Sequence, residues 1–191
     1  MRPGPAGAGS PRPPLRLVPP PADDTPAPLS LLVGDLVVYA SHGIGRVEGA
    51  DSAEGEPSAS VSLAFASGLR VTLPRARAGA ALRPLSGEPE LDEVRRTLRE
   101  DVPPANEPWA RRHRATQEKV AAGRIRGLAE VVRDGLRRER RAAGGAGGRP
   151  AAPSERELYL RARALLAAEI AACRGIDSAA ADAWIVQQVS A

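Results

Sequence analysis

The apolar residues of this chain change their spacing near residue 85. Between Leu31 and Leu85, short stretches alternate apolar with small or polar residues, which is the period of β-strands. After Leu85, apolar residues recur every three or four positions, as in amphipathic helices. Two periods in succession predict two domains, a small β domain followed by an all-helical bundle.

The β half contains four stretches with strand character. In the clearest of them, Val61, Leu63 and Phe65 alternate with small residues. The predicted strands cover residues 36–39, 44–48, 60–65 and 69–73, with a hairpin turn at 66–68. Four or five strands in about 55 residues are typical of a small SH3-like or Tudor-like β-barrel rather than of a sandwich.

The segment "VVYASHGIGRVE" (residues 37–48) joins two of these strands. Its Gly43-Ile44-Gly45 lacks the third glycine and the following helix of a phosphate-binding loop. His42 has no nucleophile or second histidine at a defined spacing, and the single cysteine allows no zinc-ligand pattern. We therefore interpret the segment as a turn, and we expect no enzymatic activity, no metal and no cofactor.

The helical half predicts a small bundle. Leu91, Val94 and Leu98 indicate a helix that ends before Pro103-Pro104, and an apolar stripe indicates another over 124–141. A glycine-rich connection separates this stripe from two further helices. The predicted caps and breaks are Ser86, Asn106 with Glu107 and Pro108 in the following first turn, a capping box at Ser154–Glu157, Gly175, and Ser178.

Basic charge is concentrated in one region. The whole chain has a net charge of +4, whereas residues 105–149 contain twelve basic and five acidic side chains. Lys119 is the only lysine, so arginine abundance fits either phosphate recognition or a GC-rich genome. The concentration of charge in one helical segment favours nucleic-acid binding.

The segment "PWARRHR" (residues 108–114) allows two interpretations. Trp109 shares a helix face with His113, Thr116 and Val120, which is typical of a core or interdomain anchor. Alternatively, the tryptophan lies exposed in the first turn among arginines and presents an apolar wedge to nucleic-acid bases. Its place among the arginines favours a DNA contact.

Over nearly all of residues 31–190, the chain resembles the CarD/CdnL family of bacterial transcription regulators. The resemblance rests on "VGDLVVYASHGIGRVE", "LRVTLP", "WARRHRATQEKVAAGRIRGLAEVVRDGLRRER" and "SERELYLRARALLAAEIA". A similar N-terminal module also occurs in transcription-repair coupling factors, and the helical half separates the two. The resemblance implies a Tudor-like domain that docks on the β subunit of RNA polymerase. It also implies a helical domain that contacts promoter DNA at the upstream edge of the bubble and stabilises the open complex.

The resemblance assigns roles to individual residues. The wedge tryptophan falls on Trp109, and polymerase contacts fall on the later hairpin. Ala40 stands where the family usually has proline, and Thr72 stands at a usually basic position. The implied DNA-binding residues are Trp109, Arg111, Arg112, Arg114, Arg138 and Arg156, and the implied polymerase-binding residues are Arg70, Val71 and Thr72.

Thr72 and an acidic loop near Asp51 and Glu54 motivate an alternative function. In this alternative, the chain is a protein-interaction adaptor whose barrel binds a different partner, with little DNA activity.

The expected organisation has four parts. Residues 1–28, which contain ten prolines, form a disordered arm that we interpret as a flexible tail rather than an SH3 ligand. Residues 29–101 form the polymerase-interaction domain, 102–107 a linker, and 108–191 the DNA-contacting domain with a flexible glycine-rich loop at 142–153. With no apolar run of spanning length and no export signal, we expect a cytoplasmic protein that is associated with the nucleoid through RNA polymerase. We also expect it to be a monomer.

Overall fold

A computed structural model of the chain describes residues 31–40, 42–50, 59–103, 107–144 and 151–190. These residues form an antiparallel sheet of five strands followed by a helical bundle, so the predicted fold class is confirmed. The arm at 1–28, Asn106, the acidic residues at 51–58 and the central part of the 142–153 loop lie outside the described residues. No helix within the described ranges is long and apolar enough to cross a lipid bilayer.

The secondary structure elements follow one another with short connections. The strands are β1 (Leu36–Tyr39), β2 (Gly43–Ala50), β3 (Ser60–Phe65), β4 (Arg70–Pro74) and β5 (Leu82–Pro84). The helices are α1 (Arg75–Ala81), which lies between β4 and β5, and α2 (Glu88–Arg99), α3 (Trp109–Ala122), α4 (Ile125–Ala143), α5 (Pro153–Arg174) and α6 (Ser178–Ser190). We call β1–β5 with α1 the sheet module and α2–α6 the helical module.

The sheet has the order β4-β3-β2-β1-β5. Val61, Leu63 and Phe65 are buried on its inner face, as their alternation predicts, and form one hydrophobic cluster with residues of the other strands. Helix α1 packs against β3, β4 and β5 and is an element that the sequence did not predict. Its sequence "RARAGAA" buries only Ala78 and therefore has no apolar period to detect.

The helical module has its own core. Helix α4 buries Leu128, Val132 and Leu136, as the predicted stripe requires, and packs against α2 and α5. The buried residues of α2 belong to this cluster and not to that of the sheet. The change of core therefore lies before α2, although the sequence analysis placed α2 in domain 29–101. Pro103-Pro104 follow the end of a helix without marking a change of core.

Several helix starts differ from the predicted ones. Gly87, not Ser86, is the N-cap of α2, and its N–H donates to Glu90 Oε2 at 2.9 Å. Pro108 is the N-cap of α3, so Glu107 and Pro108 precede the first turn instead of forming it. The predicted use of Ser86 as a cap is wrong because its hydroxyl donates to Glu169, which belongs to α5.

The last two helices also begin with other groups. Ala152 is the N-cap of α5, and Pro153 occupies its first turn, so the predicted Ser154–Glu157 capping box does not form. At α6, the Asp177 carboxylate accepts the N–H of Ala180 at 2.7 Å, where Ser178 was the predicted cap. Gly175 ends α5 in the left-handed conformation, as predicted.

The two modules meet along the segment that follows β1. Gly123, at the end of α3, lies so close to Ala40 that an added Cβ would be 2.7 Å from the Ala40 Cα. Gly43 similarly approaches the side chain of Leu165. The segment "VVYASHGIGRVE" is thus a strand-to-strand turn, as interpreted, and it also provides part of the contact between the modules.

A buried carboxylate strengthens this contact. Glu169 on α5 accepts two hydrogen bonds from Arg83 of β5, at 2.6 and 2.7 Å, and one from the Ser86 hydroxyl at 2.6 Å. Arg83 also donates to the Gly123 carbonyl at 2.8 Å. We call Arg83, Ser86, Gly123 and Glu169 the Glu169 cluster; it fixes the sheet module against the helical module.

Candidate functional site

Trp109 is the first residue of α3, and its side chain is 50% exposed. The indole ring stacks on the imidazole of His113, with ring centroids 5.0 Å apart and an angle of 13° between the planes. Trp184, by contrast, packs against the helical core. Of the two interpretations of Trp109, the structure therefore agrees with an exposed side chain and not with a core anchor.

Two of the candidate arginines share one carboxylate. Arg112 on α3 donates to Glu155 Oε1 through Nη2 at 3.2 Å, and Arg138 on α4 donates to Oε2 at 2.9 Å. Arg112 also donates to the carbonyl of Glu107, which precedes Trp109. We call Arg112, Arg138 and Glu155 the Glu155 cluster; it joins three helices next to the tryptophan.

The charges of the Glu155 cluster do not cancel. Burial alone would raise the pKa of Glu155, but Arg138 and Arg112 together lower it below its ordinary value. The carboxylate is thus ionised at neutral pH and compensates one of two guanidinium groups. The cluster keeps one positive charge, and its arginines are held close to their place by hydrogen bonds.

The other candidate arginines are more exposed. Arg111 and Arg156 are exposed and form no ion pair with a carboxylate of the described residues. Arg114 pairs with Glu118 at 3.1 Å, and both side chains are largely in solvent. At about 100° per residue, Arg111 lies on a different side of α3 from Trp109. The structure therefore groups Trp109 with Arg112 and Arg138, and leaves Arg111, Arg114 and Arg156 as flanking charges.

The sequence did not predict the contacts of two residues of this surface, His113 and Glu155. His113 was noted only as a face-sharing neighbour, although its spacing of four residues from Trp109 is the signal for a stacked pair on a helix. Glu155 was noted only within the capping box. Its pairing with Arg112 spans 43 residues, so no local pattern could reveal it.

The candidate polymerase surface lies on β4, an edge strand of the sheet. Arg70 and Thr72 are exposed on the outer face, where Arg70 pairs with Glu48 at 3.3 Å and the Thr72 hydroxyl lies 3.2 Å from that of Ser62. Val71 lies on the opposite face and packs against the sheet core. The side chain of Val71 is therefore not part of the outer face of β4.

The pairing with β3 determines which backbone groups of β4 remain free. The N–H of Phe65 donates to the carbonyl of Leu69, and the N–H of Arg75 donates to the carbonyl of Ala59, both at 2.9 Å. Because the residues of an antiparallel pair alternate between bonded and non-bonded positions, Val71 and Leu73 bond to β3. The N–H and C=O groups of Arg70 and Thr72 therefore point away from β3, toward the open edge of the sheet.

The fold and these surfaces define a class of two-module proteins. A sheet module with an open edge strand is fixed to a helical module that carries an exposed tryptophan among arginines. Two family models match the chain in this order. The CarD-like/TRCF RID domain matches residues 31–86, and the CarD C-terminal domain matches residues 93–186. The chain belongs to the CarD/CdnL family of transcription-associated proteins.

Proposed function

We propose that this protein binds the β subunit of RNA polymerase through the β4 edge and stabilises the open promoter complex through Trp109 and its arginines. The observation that carries the proposal is the half-exposed indole of Trp109 beside the positively charged Glu155 cluster. An exposed indole offers a large flat apolar surface that a partner can cover. A nucleic-acid base is a flat apolar partner, and the arginines supply contacts to its phosphates.

The mechanism is a shift of an equilibrium. Trp109 can stack on a base only where the duplex is already distorted or melted, so the protein binds the open promoter better than the closed one. A difference of about 1.4 kcal/mol between the two states shifts the opening equilibrium roughly tenfold. The protein acts as a binding protein, not as an enzyme, and needs no cofactor.

Docking on polymerase uses the outward backbone groups of Arg70 and Thr72. A strand of the partner can pair with this edge through backbone hydrogen bonds, which tolerate the replacement of a basic residue by Thr72. The Glu169 cluster and the close approach of Gly123 to Ala40 fix the two modules to each other. Trp109 is then held at a set distance from the docked polymerase. We propose that the protein acts as a monomer in the cytoplasm, at promoters occupied by polymerase.

The first test is Trp109→Ala in the full chain. We expect the lifetime of open complexes to fall about tenfold, because base–aromatic stacking contributes about 1–3 kcal/mol. Polymerase binding should remain unchanged, since Trp109 belongs to the helical module. A variant that opens promoters as well as the wild type would refute the wedge.

The second test separates edge pairing from side-chain contact. Thr72→Pro removes an N–H that points away from β3, so the sheet should persist while a paired partner strand loses a hydrogen bond. Thr72→Val keeps that N–H and removes only the hydroxyl. We expect Thr72→Pro, and not Thr72→Val, to reduce capture of the polymerase β subunit by the full chain.

The alternative is a protein-interaction adaptor with a different partner. It is favoured by the outer face of β4, where Arg70 and Thr72 already interact within the chain. Capture of another protein without the β subunit, combined with DNA binding that does not respond to salt, would support the adaptor. Three arginine–phosphate contacts should instead give a log–log salt slope of roughly −2.7.

A further inference from the structure

We infer that His113 is the positioning residue for Trp109, so that the tryptophan stacks with one face only, on a base at a duplex end or fork. This inference rests on the proposed contact between Trp109 and DNA. It specifies which face of the indole is used and which form of DNA it recognises.

The two rings of Trp109 and His113 lie nearly parallel. At 5.0 Å between centroids and 13° between planes, the imidazole covers one face of the indole. The residue is nevertheless 50% exposed, and the face of the indole opposite His113 is the one that we assign to a base. Insertion between two stacked base pairs needs both faces of an aromatic ring, whereas stacking on a terminal base needs one.

Packing rather than hydrogen bonding holds the imidazole of His113 in place. Its Nδ1 is buried and has no hydrogen-bond partner among the described residues. Burial of an unpaired polar atom is unfavourable, so the position of the ring is set by packing and stacking and not by a hydrogen bond at this atom. A phenylalanine ring should therefore replace the imidazole without loss.

Trp109 lies where the helix itself restrains a side chain least. It is the first residue of α3, after a proline N-cap that makes no side-chain capping bond. The hydrogen bonds of Arg112 fix the backbone nearby but do not orient the indole. Stacking on His113, one helical turn later, supplies that orientation before DNA binds, which reduces the entropy lost on binding.

The experiment measures binding of the full chain to two DNA probes of equal length and charge. One is a fork with 2-aminopurine at the last base pair before the single strands, and the other is the fully paired duplex. The variants are His113→Ala, His113→Phe and Trp109→Ala, with Gln117→Ala as a control on the exposed part of the same helix. Circular dichroism verifies that each variant is folded.

We expect the wild type to prefer the fork and to quench the 2-aminopurine. His113→Ala should weaken fork binding about fivefold, since an aromatic pair contributes of that order, and His113→Phe should stay within about twofold of the wild type. Duplex binding should change little in either variant. The control should behave as the wild type.

The outcomes are distinguishable. If Trp109→Ala does not weaken fork binding, the proposed DNA contact itself fails. If Trp109→Ala weakens binding but His113→Ala does not, only the role of His113 is refuted. Equal losses in His113→Ala and His113→Phe would show that stacking is not what His113 contributes, and equal wild-type affinity for fork and duplex would refute one-faced stacking.

Discussion

Helix α5 carries two carboxylates that bind arginines from distant parts of the chain, and the two differ in charge balance. Glu169 has a side chain that is 2% exposed and pairs with one arginine, so the charges of its cluster cancel. Glu155 has a side chain that is 13% exposed and pairs with two arginines, so its cluster remains positive. The first arrangement joins two modules, and the second leaves charge for an anionic partner.

The comparison shows how similar ion pairs can serve different ends. Glu169 also accepts hydrogen bonds from the hydroxyl and the N–H of Ser86, so its oxygen atoms have a full set of donors. At the Glu155 cluster, Arg112 and Arg138 still have N–H groups that Glu155 does not use. A satisfied, neutral cluster has little to gain from a ligand, whereas the Glu155 cluster keeps a positive charge and unused N–H donors, as the proposed phosphate contact requires.

The largest effect is expected at Glu169. Glu169→Gln should lower the free energy of unfolding by about 3 kcal/mol, because it leaves the guanidinium of Arg83 without its buried counter-charge. Urea denaturation of the full chain measures the change, and Glu157→Gln, at an exposed position of the same helix, is the control. A double-mutant cycle with Arg83→Met should give a coupling energy well above zero; additive effects would contradict the buried pair.

Gly123 provides a second measure of the contact between modules. Gly123→Ala should cost about 2 kcal/mol, of which about 1 kcal/mol comes from the left-handed conformation. The remainder comes from the clash with Ala40, where an added Cβ would lie 2.7 Å away. The matched control is Gly175→Ala, which has φ of 63° and open space around its Cβ position. Equal losses in the two variants, measured by urea denaturation, would mean that the contact between Gly123 and Ala40 adjusts to the added methyl group without cost.

The sequence predicted the fold through its local periods. The alternation at Val61, Leu63 and Phe65 and the apolar stripe of α4 predicted these elements correctly. In both, the residues that recur with the period of the element are the buried ones. Helix α1 was missed because a short alanine-rich segment has no such period. The predicted cap at Ser86 was wrong because its hydroxyl donates to Glu169 instead, and the one at Ser154 was wrong because α5 already begins at Pro153.

The candidate site was only partly predictable. Trp109 and Val120 share a helical face, but Trp109 is half exposed and Val120 is buried. The reason is that other helices cover only part of the length of α3. Periodicity predicts which face of a helix is apolar, but not how far along the helix other elements cover that face. The Glu155 and Glu169 clusters depend on pairs separated by many residues, so neither could be read from spacing.

Glu155→Gln tests the positive cluster through pH. It should lower the free energy of unfolding by about 1 kcal/mol at pH 7, because charge-assisted hydrogen bonds become neutral ones. Since the pKa of Glu155 is lowered in the folded state, its contribution is complete above the ordinary pKa of glutamate and disappears as the pH falls through the lowered value.

The stability difference between the wild type and Glu155→Gln should therefore be constant near neutral pH and shrink below about pH 4. Urea denaturation at a series of pH values measures it. Glu157→Gln, which removes an exposed carboxylate two residues away, should show no such profile. A difference that persists unchanged at low pH would contradict the ionised pair.

The smallest effect on stability is expected at Glu118. Its pair with Arg114 is exposed on α3, so Glu118→Gln should change the free energy of unfolding by about 0.4 kcal/mol or less, and by less at high salt. This variant and Glu155→Gln each remove one negative charge from the helical module. Both should therefore raise DNA affinity at low salt, as measured by fluorescence anisotropy with a fork probe.

The two increases should nevertheless differ. Glu118→Gln only adds net charge, whereas Glu155→Gln also weakens the hydrogen bonds that hold Arg112 and Arg138 in place. Arginines that are held less firmly lose more conformational entropy when they bind phosphate, so the gain in affinity at Glu155 should be the smaller one. An equal gain would mean that the Glu155 cluster contributes charge alone. A larger gain would mean that Glu155 competes with phosphate for its arginines rather than positioning them.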